Sequence, residues 1–254
     1  MSDSGATQPT AAMLVIGDEI LSGRTKDTNS GYLADLMTEH GVELREIRVV
    51  PDEQDVIVAA VNEIRTRVDH LFTSGGIGPT HDDITADCVA AAFGVNIDVR
   101  ADARAILEEG YRATGREINE ARLRMARIPD TAVLIPNPVS WAPGFTIGNV
   151  HVMAGVPAVF KEMLAHVAST IQGGPLKLSH AFRCEIGEGD LAGPLGGVQA
   201  AFPDVSMGSY PYGNGAGAIL ILRHTDRNLL GHAADALRKA LVPLGGAKSE
   251  TPPG

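Results

Sequence analysis

Cysteine is nearly absent from the 254-residue chain: only Cys88 and Cys184 occur, far apart and each inside an apolar segment. That excludes a disulfide-stapled scaffold and fits two small buried hydrophobes in a reducing compartment. No apolar run approaches the roughly 18 residues that a membrane helix needs. The N-terminus, MSDSGATQPT, lacks the basic-then-apolar order of a secretory signal. A membrane is therefore not an expected partner, and the expected location is cytoplasmic. Positive charge is also short. Lys and Arg number 21 against 31 Asp and Glu, for a net charge of -10. Without a basic stripe for a phosphate backbone to follow, a nucleic acid is not an expected partner either. A small anionic ligand would need local donors or a cation.

What is present is ordinary for a globular protein, 44% hydrophobic and 20% charged residues. The length allows one large domain, or one medium and one small. AAMLVIG (residues 11–17) is a continuous apolar run suited to a strand buried on both faces. Leu33, Leu36, Met37 and His40 then recur at helical spacing, with Thr28 or Asn29 as N-cap and Gly41 as the stop. VELREIRVV and HLFTS read as further strands, separated by a helix whose face is Ile57, Val61, Ile64 and Val68. Cys88, Val89, Ala92 and Phe93 mark another helix, ended by Gly94. Buried strands alternating with helices imply parallel pairing through right-handed crossovers, so the predicted class is α/β, three-layered around a mainly parallel sheet.

Residues 101–127 read as helical and charged, TAVLIP and VHVMAG as strands around the turn-rich NPVSWAPGF, and Val159 through Ile171 as an amphipathic helix. QGGP (residues 172–175) closes this first domain, which spans 11–174. From 175 to 243 the order changes to strand, helix, strand, strand, helix, with GNGAG as a hairpin connection, a small α+β domain of βαββα type. Residues 1–10 are expected to be a disordered N-terminus and 244–254 a flexible tail.

The chemistry concentrates in TSGGIGPTHDDIT (residues 73–85). In open parallel sheets, ligands sit beyond the carboxyl ends of the strands, where loops converge. After Ser74, Gly75, Gly76 and Gly78 let the backbone approach a ligand, and the amides before Asp82 would face an anion at a helix start. It is not a P-loop, since no Gly-Lys-Ser/Thr follows, and His81 stands where the dinucleotide fingerprint has its third glycine. The same stretch also fits a capping box, Thr80 as N-cap and Asp83 at N3, which needs no ligand but leaves Asp82 and three glycines unexplained.

Two other loops share that edge: Gly17-Asp18-Glu19, and AGVPAVFKEM, where Ala154 and Gly155 end a strand and Pro157 opens a helix. Asp18, Glu19, Asp82 and Asp83 either cap and solvate or supply oxygen ligands to a divalent cation, through which carboxylates and donor amides could share one phosphate. The favoured reaction is attack of water on a phosphoanhydride, a carboxylate orienting or deprotonating the water. His81 is a metal ligand, a proton donor to a leaving group, or loop filler. Lys161 reaches a phosphate or lies on a solvated face. Asn137 rims a pocket or closes a turn, and Tyr210 and Tyr212 stack on a base or pair across strands.

GDEILSGRTKDTNS (17–30), VVPDE (49–53), SGGIGPTHDDIT (74–85) and AGVPAVFKEML (154–164) closely resemble the molybdopterin-binding-like domain of competence/damage-inducible protein A (CinA type) and of the N-terminal half of eukaryotic FAD synthase. The likeness covers roughly residues 11 to 171, and GEGDLAGPLGGVQAAFPDVSMGSYP (187–211) resembles the small domain that follows in this branch. The resemblance implies a molybdopterin-binding-like fold and a pyrophosphatase dependent on Mg2+, Mn2+ or Co2+, acting on a nucleotide diphosphate such as ADP-ribose or FAD. It carries over Asp82 and Asp83 as the acidic pair, Asp18 and Glu19 as the first loop, Thr28 and Asn29 as the first helix start, and Gly155 and Pro157 as the strand-to-helix turn. Ser74, Pro79, Thr80 and Lys161 join the glycines as ligand contacts. Ala154 departs from the proline common before that glycine. The alternatives are a non-catalytic module that captures a pterin or nucleotide, and an adenylyltransferase acting on molybdopterin. The chain ends without a deamidase or flavin adenylyltransferase domain, so neither activity is expected, while a homo-oligomer is.

Overall fold

β1 (Thr10–Ile16) carries Ala12, Leu14 and Ile16 into one core and Ala11, Met13 and Val15 into another. Side chains alternate across a strand, so burial on both faces requires the unbroken apolar run. The structure, a computed structural model, describes residues 8–253, which divide into two compact units at Gly174/Pro175. The expectation of a disordered N-terminus falls mostly on residues outside those described; Thr10 already belongs to β1.

In the first unit β1 is followed by α1 (Asp18–Leu21), α2 (Asn29–Glu39), β2 (Glu43–Val50), α3 (Gln54–Ile64), β3 (His70–Ser74), α4 (Thr85–Phe93), β4 (Ile97–Val99) and α5 (Ala101–Ala113). Then come α6 (Glu120–Leu123), β5 (Arg127–Pro129), β6 (Val133–Ile135), β7 (Gly144–Ile147), β8 (Val150–Met153) and α7 (Pro157–Ala168). The six-stranded sheet runs β2-β1-β3-β8-β7-β6, parallel from β2 through β8, with β7 antiparallel to both neighbours. One face is covered by Ile57, Val61, Cys88, Val89 and Leu107 from α3, α4 and α5, the other by Leu33, Met37, Phe160, Met163 and Leu164 from α2 and α7. The three-layer expectation holds.

Three local expectations are corrected. The span 101–127 is not one helical stretch: it breaks after α5, and Arg127–Pro129 pairs antiparallel with Ile97–Val99. NPVSWAPGF is a turn only as far as Pro143, because Gly144–Ile147 continues as a strand whose few residues gave no readable alternation. Asn137 closes that turn, accepting from the amides of Val139 and Ser140 and donating to the Ala142 carbonyl. Neither Thr28 nor Asn29 caps α2 with its side chain. The Asp27 carboxylate does so, accepting from the amides of Asn29 (3.0 Å) and Ser30 (3.1 Å).

At the opposite end of the sheet from the glycine loop, buried His151 on β8 contacts His70 (its Nε2 to the His70 Nδ1, 3.2 Å) and, through its Nδ1, the Thr146 hydroxyl (3.0 Å). Burial, with His70 adding to it, pushes His151 down to about 3. An unfolded histidine protonates near 6.5, so folding excludes a proton. The stability this represents is full above pH 6.5 and is lost as pH falls toward 3. Urea denaturation between pH 4.5 and 6 should show His151→Gln losing less stability on acidification than the parent, by up to about 1.4 kcal/mol per pH unit. Equal slopes would contradict the assignment.

The second unit contains β9 (Leu178–Cys184), α8 (Glu188–Ala201), β10 (Ser206–Tyr212), β11 (Gly217–His224), α9 (Arg227–Leu241) and β12 (Ser249–Thr251). Its antiparallel sheet is ordered β10-β11-β9-β12, with Leu191, Val198, Leu230, Ala234, Leu237 and Leu241 of the two helices over Phe182, Leu220 and Leu222. Tyr210 and Tyr212 pair across β10/β11, and the Tyr212 hydroxyl donates to the Cys184 carbonyl (3.0 Å), so cross-strand packing accounts for both rings. The flexible tail is corrected. Ser249–Thr251 adds a strand to β9, and Glu250 takes two hydrogen bonds from the Arg238 guanidinium, at 2.9 and 2.7 Å. That fork supplies an anchor which hydropathy does not register.

Candidate functional site

β1, β3 and β8 end side by side, and their loops converge because glycine stands at each approach. Gly75 follows β3 at φ +106°, its amide donating to the Met153 carbonyl (3.2 Å); a Cβ there would lie 2.2 Å from the Ile16 carbonyl oxygen. A Cβ on Gly155 would meet the Gly75 Cα at 3.3 Å, and one on Gly76 (φ +68°) would strike the Thr85 hydroxyl at 2.0 Å. Only glycine permits this approach of three chain segments.

Between them lies a recess of about 50 Å3, lined by Glu19, Thr28, Asn29, Ser74, Gly75, Gly155 and Pro157 among the residues singled out from sequence. Asn29, 5% exposed, donates from Nδ2 to the Ser74 hydroxyl (2.8 Å) and the Gly155 carbonyl (2.8 Å), tying α2 to the ends of β3 and β8. Among the described residues its Oδ1 is buried without a partner, as is the Thr85 hydroxyl. Buried polar atoms are rarely left unpaired, so each is an acceptor or donor that a ligand or water can complete. Pro157 opens α7, and Ala154 uses an amide that proline would lack, donating to the Met163 sulfur (3.5 Å).

The acidic residues separate into two groups. Asp52, in the loop after β2, accepts from the Asp18 amide (2.9 Å). Burial first, then the fields of Asp18, Glu19 and Asp82, raise its carboxyl above the ordinary range, while the Asp18 amide opposes them. Asp52 thus feels the other three, while Asp82 itself is held below the usual carboxylate range by the Thr80 hydroxyl first and then its own amide. Among the described residues no Lys or Arg forms an ion pair with any of them. Asp83 is elsewhere engaged, its carboxylate accepting from the Thr80 amide (2.7 Å) and hydroxyl (2.5 Å). The capping box expected from the sequence is corrected: Asp83 does reach back to the Thr80 amide, but the Thr80 hydroxyl donates rather than accepts, and the pair closes a turn, because α4 starts only at Thr85. The amides before Asp82 consequently do not form a helix start, a correction to that expectation.

His81 is fully exposed, 3.9 Å from Asp82. Gly78, Pro79 and Thr80 belong to the same turn, outside the recess. Lys161 lies one turn into α7, its ammonium 4.9 Å from the centre of the Tyr32 ring, a cation–π contact rather than a reach toward the recess. Sequence reasoning missed Asp52, Asp27 and Lys26, the last two lining the recess; all three sit inside the quoted motifs VVPDE and GDEILSGRTKDTNS.

A divalent ion is implied by the resemblance, and Asp18, Glu19, Asp52 and Asp82 are hard oxygen donors of the kind such an ion takes. Among the described residues no three His, Cys, Asp or Glu side chains are grouped closely enough to hold a metal ion. A bound ion would need ligand or water oxygens to complete its shell.

Fold and site together define an α/β domain whose glycine loop, helix start and strand-to-helix turn form one polar recess at the carboxyl edge of a mainly parallel sheet. Residues 12–172 match the family described as probable molybdopterin binding domain, and residues 177–245 match that described as the middle domain of FAD synthase. The chain belongs to the first of these families and carries the second as its small domain. A protein of Pyrobaculum calidifontis is 35% identical over 93% of this chain and 95% of its own length. A CinA-like protein of Anaeromyxobacter dehalogenans is 34% identical over 77% of this chain, which spans only 53% of that relative. The crystal structure of the protein CinA with unknown function from Thermoplasma acidophilum superposes with a TM-score of 0.59 at 34% identity, covering 64% of this chain and 99% of that one. No helix among the described residues is long and apolar enough to cross a membrane.

Proposed function

We propose that the chain hydrolyses the phosphoanhydride bond of a nucleotide diphosphate, with ADP-ribose or FAD as the substrate class, and that it does so with a divalent ion. One observation carries this reading: Asp52 sits in the field of Asp18, Glu19 and Asp82, a negative centre beside a backbone cradle suited to an anion. A cation reconciles the two. When bound, it supplies charge neutralisation for the diphosphate and lowers the pKa of an attacking water. The chain's own groups do the rest. The Gly75 and Gly155 loops orient the phosphates, the Asn29 Oδ1 accepts from a ligand hydroxyl or amine, and Asp52, raised above the usual carboxylate range, takes the water's proton. Oxygen of water bonds to phosphorus as the bridging P–O bond breaks, leaving AMP and a second monophosphate.

The test is chromatographic detection of AMP from ADP-ribose and FAD incubated with the full chain and Mg2+, Mn2+ or Co2+ in turn. AMP in metal and none in chelator is the expected result. The wide spacing of the carboxylates favours a second reading, a module that binds the nucleotide or a pterin without cleaving it. Saturable binding by calorimetry with no AMP under any metal would establish that reading and overturn the first.

A further inference from the structure

A second recess shares the glycine loop. It is small, about 20 Å3, lined by Ile77, Gly78 and Asp83 of the loop, by Asp87 of α4, by Arg124 just after α6 and by Arg127 at the start of β5. A volume of that size accepts one oxygen-sized atom. Its charged groups are unequally occupied. Arg127 is ion-paired with Asp87, and Asp83 already accepts twice from Thr80. The Arg124 side chain has no hydrogen bond or ion pair among the described residues, and its Nε is buried with no partner. A guanidinium presents its donors in a fixed fork matched to phosphate oxygens, and its buried donors carry a desolvation cost until an acceptor meets them. Neither carboxylate of the recess accepts from Arg124 among the described residues, so an acceptor from outside the chain would complete it.

We propose that Arg124 is the anion-binding group of this second recess, seating one oxygen of a phosphate that lies at its mouth against the Ile77–Gly78 turn. The proposal deepens the nucleotide diphosphate reading and rests on it for the identity of the natural ligand. Asp82 and its companions then address the diphosphate through a cation, and Arg124 addresses it directly. The site for inorganic phosphate itself stands independently of any hydrolysis.

The experiment follows the arginine Nε–H cross-peaks of the full chain by nitrogen–proton correlation spectroscopy. The Arg124 peak is identified by its loss in Arg124→Lys, and the chain is titrated with inorganic phosphate and, separately, ADP-ribose. Calorimetry of ADP-ribose and of adenosine with Arg124→Gln accompanies it. The expected result is a saturable shift of the Arg124 peak with phosphate, the Arg127 peak unmoved, and at least a tenfold weaker ADP-ribose affinity in Arg124→Gln with partial recovery in Arg124→Lys. A shift with phosphate in a protein that neither binds nor cleaves ADP-ribose would sustain the anion site and sink the nucleotide reading. An Arg124 peak indifferent to phosphate and ADP-ribose alike would mean that the recess holds only water, and the inference would be wrong.

Discussion

Asp52→Asn lowers AMP release from ADP-ribose by about 10²–10⁴-fold, the range for loss of a positioned acid or base, while Asp83→Asn loses far less. The contrast follows from partners rather than from motif position. Asp52 lies in the field of Asp18, Glu19 and Asp82, none of which has an ion pair to Lys or Arg among the described residues, whereas the Asp83 Oδ2 accepts from the Thr80 amide and hydroxyl within its own turn. Asparagine at 52 keeps an oxygen for the Asp18 amide, which now donates at 2.9 Å, so the loop after β1 retains its shape. Thermal midpoints close to the parent accompany the kinetic loss. Equal turnover in the two variants would show that the acidic field has no part in the reaction.

Gly75→Ala carries the largest expected loss of stability in the site. Its Cβ would sit 2.2 Å from the Ile16 carbonyl oxygen, in backbone at the end of a fully buried strand, and at φ +106°. Overpacking costs about 1–3 kcal/mol, and a non-glycine residue at such a backbone angle about 1–3 kcal/mol more. Denaturant midpoints measure the sum. Gly155→Ala is the control, because its Cβ comes no nearer than 3.3 Å, to the Gly75 Cα, and a shift of a few tenths of an ångström relieves it. If Gly75→Ala unfolds at the same denaturant concentration as Gly155→Ala, the close approach of the three loops is not what fixes the recess.

Much of the fold was legible because its signals are strong. A strand buried on both faces needs a run such as AAMLVIG, and the helices between strands carry one apolar face each. β4, β5 and β7 were missed for a physical reason: three or four residues hold too few alternations to separate from a turn, and their pairing is decided by partners distant in sequence. β12 was missed because Glu250 and Arg238 hold it, a contact between polar side chains in a stretch of low hydropathy.

The site divides in the same way. Ser74, Gly75, Gly155, Asn29 and Thr28 come together as their motifs suggested, since strand ends in a parallel sheet converge by topology. What adjacency in sequence could not show is which way a carboxylate turns. Asp82 and Asp83 are neighbours, yet the Thr80 amide donates only to the second, while the Thr80 hydroxyl donates to Asp83 and also holds the Asp82 carboxyl below the usual carboxylate range. Asp52 lay in VVPDE as an ordinary loop acid until the β1/β2 pairing brought it against Asp18.

The most direct test of the cation at the acidic centre is water-proton relaxation on titrating Mn2+ into the full chain with ADP-ribose present, for the parent, Asp52→Asn and Asp83→Asn. The account predicts saturable enhancement in the parent and in Asp83→Asn, and an affinity weaker by about 10 to 100-fold in Asp52→Asn, the scale seen when support around a metal is removed. No enhancement in the parent, or three identical titrations, would contradict it.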